Sequence, residues 1–256
     1  MIISLQNEKV KLIQSLQNRT RTRRKARKIV LEGVRLVRDA CESGYQPDFI
    51  LYTPDGAQTA LIDMLRRWEC TILPMSETVM RHISGTQTPQ GIIGVFPIPE
   101  PEPPIKPQRL LLLDGVSDPG NVGTMLRTAA AAGTDVALLG PGCADPYNPK
   151  ALRAGMGAHF RLPIVEQSWE DIKVYCHGLA MYAADSRGEL RYDSVDWGRP
   201  WGVIIGSEAH GLSAAGQSLT NNRVYIPMAA ATESVNAAAA AAVILFEAQR
   251  QRVSLT

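Results

Sequence analysis

Between Pro97 and Pro107 the chain reads PIPEPEPPIKP, which puts six of its seventeen prolines into eleven positions. Proline fixes φ and has no backbone N–H, so this stretch reads as an extended, semi-rigid connector and as neither a helix nor a central strand. It divides the chain into residues 1–96, a linker at 97–107 and residues 108–256, and each flanking segment is long enough to bury its own core. Hydrophobic residues at 45% and charged residues at 20% fit two globular domains. The longest apolar run, Ala237 to Phe246, is too short to span a bilayer, and no apolar segment follows a basic start at the N-terminus. The expectation is a cytoplasmic chain without membrane attachment. Cys41, Cys70, Cys143 and Cys176 form no C-x-x-C pair and no metal-ligand spacing, which fits packed thiols in a reducing compartment and no metal.

The formal charge of +2 hides an asymmetry. Residues 1–40 carry eleven basic and three acidic side chains, a net +8, which leaves −6 for the remaining 216 residues. Seven cations fall within Arg19–Lys28, and Arg19, Arg21, Arg23, Arg24, Lys25 and Arg27 make a basic loop suited to a phosphate backbone. The loop lies between two apolar-periodic segments, which makes it a surface within a fold and not a free tail.

Short strands and helices alternate through the first segment. Helices are expected at Lys9–Leu16, after Gly33 through Ala40, at Ala60–Trp68 and after Ser76, with Ser76 as an N-cap. Strands are expected at Ile29–Leu31, Phe49–Tyr52, Thr71–Leu73 and Ile92–Phe96, giving a small α/β sandwich. The second segment alternates again. Its strands are expected at Arg109–Leu113, Asp135–Leu139, Arg161–Val165, Leu179–Ala184, Trp201–Ile205 and Arg223–Ile226. Its helices are expected at Val122–Ala132, Pro149–Met156, Trp169–Cys176, Ser213–Leu219 and Ser234–Arg250. This pattern describes a mostly parallel sheet covered on both faces.

In such a sheet, ligands gather at the carboxyl ends of strands. Three polar loops fall there. In the first, Asp118-Pro-Gly-Asn121 is turn chemistry with Asn121 as a helix cap, and Arg127 follows in a helix of small apolar residues, where it needs an anionic or hydrogen-bonding partner. In the second, Gly206 admits a ligand close to the backbone, and Glu208 and His210 follow. In the third, Ile226-Pro-Met228 leads to Ser234, read as the N-cap of the last helix, and to Asn236, which capping explains less readily. The chain has no G-x-G-x-x-G in a βαβ unit, no P-loop, no H-E-x-x-H and no G-x-S-x-G, so dinucleotide, P-loop, zinc-protease and serine-hydrolase classes fall away.

Together the loops resemble the SpoU (TrmH-like) branch of the SPOUT RNA methyltransferases. The three motifs are Asn121-x-Gly-x-x-x-Arg127-Thr-Ala, Ile205-Gly-Ser-Glu208-x-x-Gly-Leu, and Ile226-Pro-Met with Glu-Ser234-x-Asn236. The first segment resembles the family's N-terminal substrate-binding domain, a ribosomal-protein-like α/β RNA-binding fold. The matching stretches are Glu8-Lys-Val-Lys…Leu16, Arg24 to Gly33 and Thr88-Pro-Gln-Gly91-Ile. Ala209, Val235 and the alanine run depart from the family pattern without removing a catalytic group.

The resemblance implies an α/β chain whose SPOUT domain carries a deep C-terminal trefoil knot, and a homodimer. It implies transfer of a methyl group from S-adenosylmethionine to a ribose 2′-oxygen, in ribosomal RNA before transfer RNA. The alternatives it leaves are a transfer-RNA methyltransferase, an rRNA methyltransferase conferring antibiotic resistance, and a non-catalytic RNA-binding protein of the same fold. Catalytic residues would be Arg127, Asn121, Glu208, Ser234 and Asn236, with Arg127 acting as base or positioning the 2′-oxygen and a phosphate. Cofactor contacts would fall on Gly206, Ile226, Val235, Met228, Leu139 and Gly140.

Overall fold

The structure, a computed structural model, describes residues 1–54, 59–66, 70–229 and 234–253. Up to the proline stretch the elements are α1 (Glu8–Asn18), α2 (Thr20–Ala26), β1 (Lys28–Glu32), α3 (Val34–Glu42), β2 (Phe49–Tyr52), α4 (Thr59–Leu65), β3 (Thr71–Pro74), α5 (Glu77–Ile83) and β4 (Ile92–Pro97). Beyond it come β5 (Arg109–Asp114), α6 (Pro119–Ala131), β6 (Val136–Leu139), α7 (Pro149–Gly155), β7 (Ile164–Glu166) and α8 (Trp169–Tyr175). The chain ends with β8 (Ala180–Ala184), β9 (Leu190–Arg191), β10 (Trp201–Gly206), α9 (Ala214–Gln217), β11 (Arg223–Tyr225) and α10 (Ala237–Val253).

These elements form two compact units. One is Met1–Pro99 with Tyr147–Phe160; the other is Glu100–Pro146 with Arg161–Thr256. The first is built on a mixed four-stranded sheet in the order β1-β4-β2-β3. Antiparallel β4 lies between β1 and β2, and β2 pairs in parallel with β3. Alternate residues of each strand point to opposite faces, and both faces are apolar. One face buries Val30, Phe49, Leu51, Ile93 and Val95 against Val10, Ile13 and Leu16 of α1 and Val79, Met80 and Ile83 of α5. The other packs Ile29, Leu31, Ile50 and Phe96 with Leu36, Val37 and Ala40 of α3 and with Leu61 and Leu65 of α4. Leu152 of α7 and Phe160 join that second core, so residues far along the chain complete the first unit.

The second unit holds seven strands in the order β7-β6-β5-β10-β8-β11-β9, parallel at every pairing. Leu110 to Leu113 of β5 and Val203 to Ile205 of β10 are buried, as a central strand covered on both faces requires. The chain runs outward from β5 to β6 and β7, and β10 fills the other side of β5. The direction of winding therefore reverses beside β5, where a doubly wound sheet opens a crevice at its carboxyl edge.

Several sequence expectations need correction. The basic stretch is a helix, α2, and not a loop; Thr20 to Ala26 have helical propensity, and Arg27 at φ 53 ends the helix in a left-handed cap. Asp118 caps α6, accepting from Asn121 N at 2.8 Å with Pro119 in the first turn, so Asn121 lies inside the helix. The last helix begins at Ala237 and not at Ser234, and Asn236 is its cap, accepting from Ala238 N at 2.9 Å and Ala239 N at 3.3 Å. β7 starts at Ile164, just after Pro163, whose carbonyl accepts from Ala137 N. β9, a two-residue edge strand, had no sequence signal. β4 runs one residue into the proline stretch, to Pro97, where β1 alone remains as a neighbour. Residues 67 and 68 of the expected helix Ala60–Trp68 and Glu233 of the third motif lie outside the described residues.

Candidate active site and nucleic-acid interface

All strands of the second unit run the same way, so the loops after β5, β6, β10 and β11 leave one edge of the sheet. Gly206 stands in register with Asp114, and Leu139 with Leu113. This places the first two motifs side by side at the winding reversal.

Three predicted side chains meet there. Asn236 Oδ1 accepts the first free amides of α10, so its Nδ2 must face outward, and it donates to Asn121 Oδ1 at 3.3 Å. Asn121 Oδ1 is thereby an acceptor, and its Nδ2 donates to Glu208 Oε1. Backbone amides at a helix start thus fix both asparagine orientations in turn, and the chain of bonds ends on a carboxylate that must accept. The N-terminus of a 17-residue helix lies at one end of it and Glu208 at the other.

Arg127 follows Asn121 by six residues on α6 and is exposed. Among the described residues it has no hydrogen-bond or ion-pair partner, so the salt bridge that would make it structural is not formed. Ser234 is exposed and likewise makes no hydrogen bond to a described residue. His210 is exposed, and only its backbone amide is engaged, on Ser207 Oγ at 3.1 Å.

At Gly206 the protein's own backbone leaves no room for a side chain. A Cβ there would come within 2.5 Å of the Gly211 carbonyl carbon and 2.7 Å of Leu212 N. Ser207 and Gly211 exchange backbone hydrogen bonds at 3.0 and 2.9 Å, closing a tight loop that folds back over the glycine. The glycine makes room for the protein's own backbone, and this loop presents Glu208.

The remaining predicted cofactor residues also sit at this edge. Leu139 ends β6 and is buried; Gly140 donates its N–H to Leu113 O at 2.9 Å. Ile226 and Met228 follow β11 and are half-buried, while Val235 is exposed just ahead of α10. Partly open apolar side chains beside strand-end backbone groups suit a ligand that is part heterocycle and part amino acid. Cys143, beside Gly140, donates to Leu113 O at 3.2 Å, and burial pushes its thiol pKa up to about 11, which keeps it protonated and inert.

Two residues at this edge escaped the sequence reading. Asp114, nearly fully buried, accepts from Ser213 N at 2.7 Å and ties the segment after the Glu208 loop to β5. Its signal was a carboxylate ending the apolar run Leu110–Leu113. Trp169, at the start of α8, stands over Gly140, where a built Cβ would lie 3.3 Å from its ring. A separate cavity of about 300 Å³ lies at the opposite, amino edge of the sheet, lined by Arg109, Trp197, Arg199, Trp201 and Arg252 among others, and holds none of the predicted residues.

In the first unit, α2 presents Arg21, Arg24 and Lys25 to solvent, with Arg19 and Arg27 exposed at its ends. Arg23 does not belong to that set. It is buried, and its guanidinium donates to Leu16 O at 2.5 Å, Gln17 O at 3.1 Å and Thr20 Oγ1 at 2.9 Å. The fork closes the carbonyl end of α1, and a side chain so engaged is not available to a phosphate.

Comparison with known proteins adds to this geometry. Residues 108–246 match the SpoU rRNA methylase family, and residues 7–94 match the MRM3-like substrate-binding domain. The chain is 33% identical over 253 residues to the 23S rRNA (guanosine(2553)-2′-O)-methyltransferase RlmP of Bacillus subtilis, covering 96% of this chain and 97% of that one. It is 32% identical over 289 residues to rRNA methyltransferase 3, mitochondrial, of Mus musculus, covering 90% of this chain and 69% of the mouse protein. The crystal structure of the SpoU methyltransferase AviRb from Streptomyces viridochromogenes, in complex with the cofactor AdoMet, superposes with a TM-score of 0.87 at 28% identity, covering 97% of this chain and 99% of that one. The AdoMet-bound rRNA methyltransferase from Sinorhizobium meliloti superposes with a TM-score of 0.86 at 30% identity, covering 97% of each chain. With both segments matched and the motif asparagines joined at one sheet edge, the chain belongs to the SpoU rRNA methylase family.

Proposed function

We propose that this protein transfers a methyl group from S-adenosylmethionine to a ribose 2′-oxygen of ribosomal RNA. The observation that carries the reading is the chain of bonds Asn236–Asn121–Glu208 at the carboxyl edge, with Arg127 on the same helix as Asn121 and uncommitted to any described residue. Relatives named as rRNA 2′-O-methyltransferases and AdoMet-bound neighbours support both the substrate and the methyl donor.

When bound, S-adenosylmethionine supplies an electrophilic methyl on a sulfonium. Leu139, Gly140, Ile226, Met228 and Val235 would hold it by apolar contact and backbone hydrogen bonds, with Gly206 shaping the loop beside them. The group would supply the methyl for a new carbon–oxygen bond at the ribose, its sulfur leaving as a neutral thioether while the hydroxyl proton passes to solvent water. Arg127 positions the 2′-oxygen and a flanking phosphate by its fork, because a guanidinium already carries its full set of protons and has no lone pair to accept another. Asn121, held between Asn236 and Glu208, orients the ribose side of that arrangement. Ser234, exposed just ahead of the Asn236 cap, would offer its hydroxyl to a ligand at the third loop.

Residues 1–96 act as the RNA-binding domain through the exposed cations of α2, the proline stretch 97–107 as the linker, and residues 108–256 as the methyltransferase domain, which lends Tyr147–Phe160 to the core of the first unit. A deep C-terminal trefoil knot, homodimer formation and cytoplasmic localisation belong to the same proposal. The exposed apolar side chains of α10, Val243 and Phe246, support the second copy. Mapping 2′-O-methyl positions on ribosomal and transfer RNA from cells with and without the gene tests the function. A ribosomal position lost with the gene is the expected result; loss of a transfer-RNA position alone, or of none, overturns it.

A further inference from the structure

The first unit carries a second cationic feature that the basic segment does not include. Arg153 lies on α7, which packs beside β1 within that unit. Its guanidinium rests against Gly85: a Cβ built on Gly85 would lie 2.8 Å from Arg153 Nη1. Arg153 is half-buried, and among the described residues it has no ion-pair or hydrogen-bond partner. Glu32, whose Oε2 lies 3.6 Å from the same Cβ position, is already engaged by the loop. Its Oε1 accepts from Ser84 Oγ at 2.5 Å and Thr86 Oγ1 at 3.0 Å, and its Oε2 from Gly85 N at 2.9 Å.

Those bonds hold the loop from Ser84 to Gly91 in place. Gln90 Oε1 pins its far end by accepting from Val34 N at 3.0 Å. Gln87 and Thr88, between the pinned ends, stay exposed. A fixed polar loop therefore stands beside a guanidinium whose donors are unspent and partly withdrawn from water, a setting in which an anion is bound more strongly than on an open surface. The position is distinct from the α2 cations. Those precede Lys28, the first residue of β1, whereas this group adjoins Glu32, its last residue, about 13 Å further along the strand.

We infer that Arg153, with the Ser84–Gly91 loop, is a second contact for the RNA substrate, taking a backbone phosphate while α2 holds the same RNA elsewhere. The inference rests on the proposed RNA methyltransferase function and adds a binding residue from outside the basic segment. A phosphate fits because a guanidinium fork matches two of its oxygens, and Gln87 and Thr88 offer donors and acceptors to an adjoining nucleotide.

The test is binding of deproteinised ribosomal RNA, from cells lacking the gene, to the full-length protein across a salt series. Arg153→Gln is expected to weaken binding on the order of tenfold and to flatten the log K against log salt slope by about 0.7 to 0.9. Its S-adenosylmethionine affinity should stay unchanged. Arg153→Lys should keep the wild-type slope. Gly85→Ala, which displaces the guanidinium while leaving every charge in place, should weaken binding with the slope retained. Wild-type affinity and slope in Arg153→Gln, or a slope lost equally in Arg153→Lys, would overturn the inference. If the wild-type protein neither binds nor methylates that RNA, the functional reading falls with it; if only the Arg153 variants behave as wild type, this inference falls alone.

Discussion

Arg23, at the corner between α1 and α2, and Arg127, on α6 at the carboxyl edge of the parallel sheet, come from equally suggestive stretches of sequence and have opposite fates. Arg23 is buried and donates to Leu16 O, Gln17 O and Thr20 Oγ1 within its own unit. Arg127 is exposed and has no partner among the described residues. A guanidinium has five donors that need acceptors, so one whose donors are spent on helix carbonyls supports the fold, and one whose donors are open serves a ligand. The local density of charge does not distinguish the two; only the acceptors within reach do.

The contrast can be broken most sharply at Arg127. Arg127→Ala should reduce methyl transfer at least ~100-fold and leave the thermal midpoint near wild type, since no internal bond is lost. Single-turnover transfer of labelled methyl to ribosomal RNA, alongside a melting curve, checks both halves. A large drop in the midpoint would make Arg127 a structural residue like Arg23.

Replacing Arg21, Arg24 and Lys25 together by Gln should weaken RNA binding on the order of 100-fold and lower its salt slope by about two to three. S-adenosylmethionine affinity, read by calorimetric titration, should not change. Arg23→Met should behave in the opposite way. Leaving the Leu16 and Gln17 carbonyls without their donor should cost about 1–3 kcal/mol of folding stability in urea titration, with the RNA salt slope of the folded protein unchanged. A shallower slope in that variant would return Arg23 to the phosphate-binding set.

Asn236→Asp sharpens the comparison within the active edge. Aspartate keeps the oxygen that caps α10 but lacks the Nδ2 donor that orients Asn121. Stability should therefore hold within about 0.5 kcal/mol while transfer falls about tenfold. Loss of stability without loss of rate would make Asn236 a cap and nothing more.

Much of this was legible before the structure. Apolar runs such as Leu110–Leu113 and Val203–Ile205 fit buried strands, and the polar loops that follow them had to share one edge once the sheet was parallel. That order of loops put Asn121, Glu208 and Asn236 at one edge, but their bonding to one another is visible only in the structure. The failures have local physical causes. Asp118 and Asn121 are both good capping residues three positions apart, and Pro119 decides for the earlier one by favouring the first helical turn. Ser234 and Asn236 present the same ambiguity, and the alanine run starts the helix only after the second. That Gly206 must leave room for the chain's own backbone was hidden, because the return of the chain at Gly211 is a tertiary fact. Leu152 and Phe160 look like any apolar residues of the second half, and no local pattern shows that they pack into the first unit's core. Arg153 was overlooked because it belongs to no charge cluster.

The most direct measurement is transfer of methyl label from S-adenosylmethionine to unmodified ribosomal RNA by the purified protein, followed by alkaline hydrolysis. A methylated 2′-oxygen blocks cleavage of the adjoining phosphodiester, so the label should appear in an alkali-stable dinucleotide and disappear with Arg127→Ala. Label recovered in a mononucleotide would place the methyl on a base, and no incorporation at all would contradict the methyltransferase activity itself.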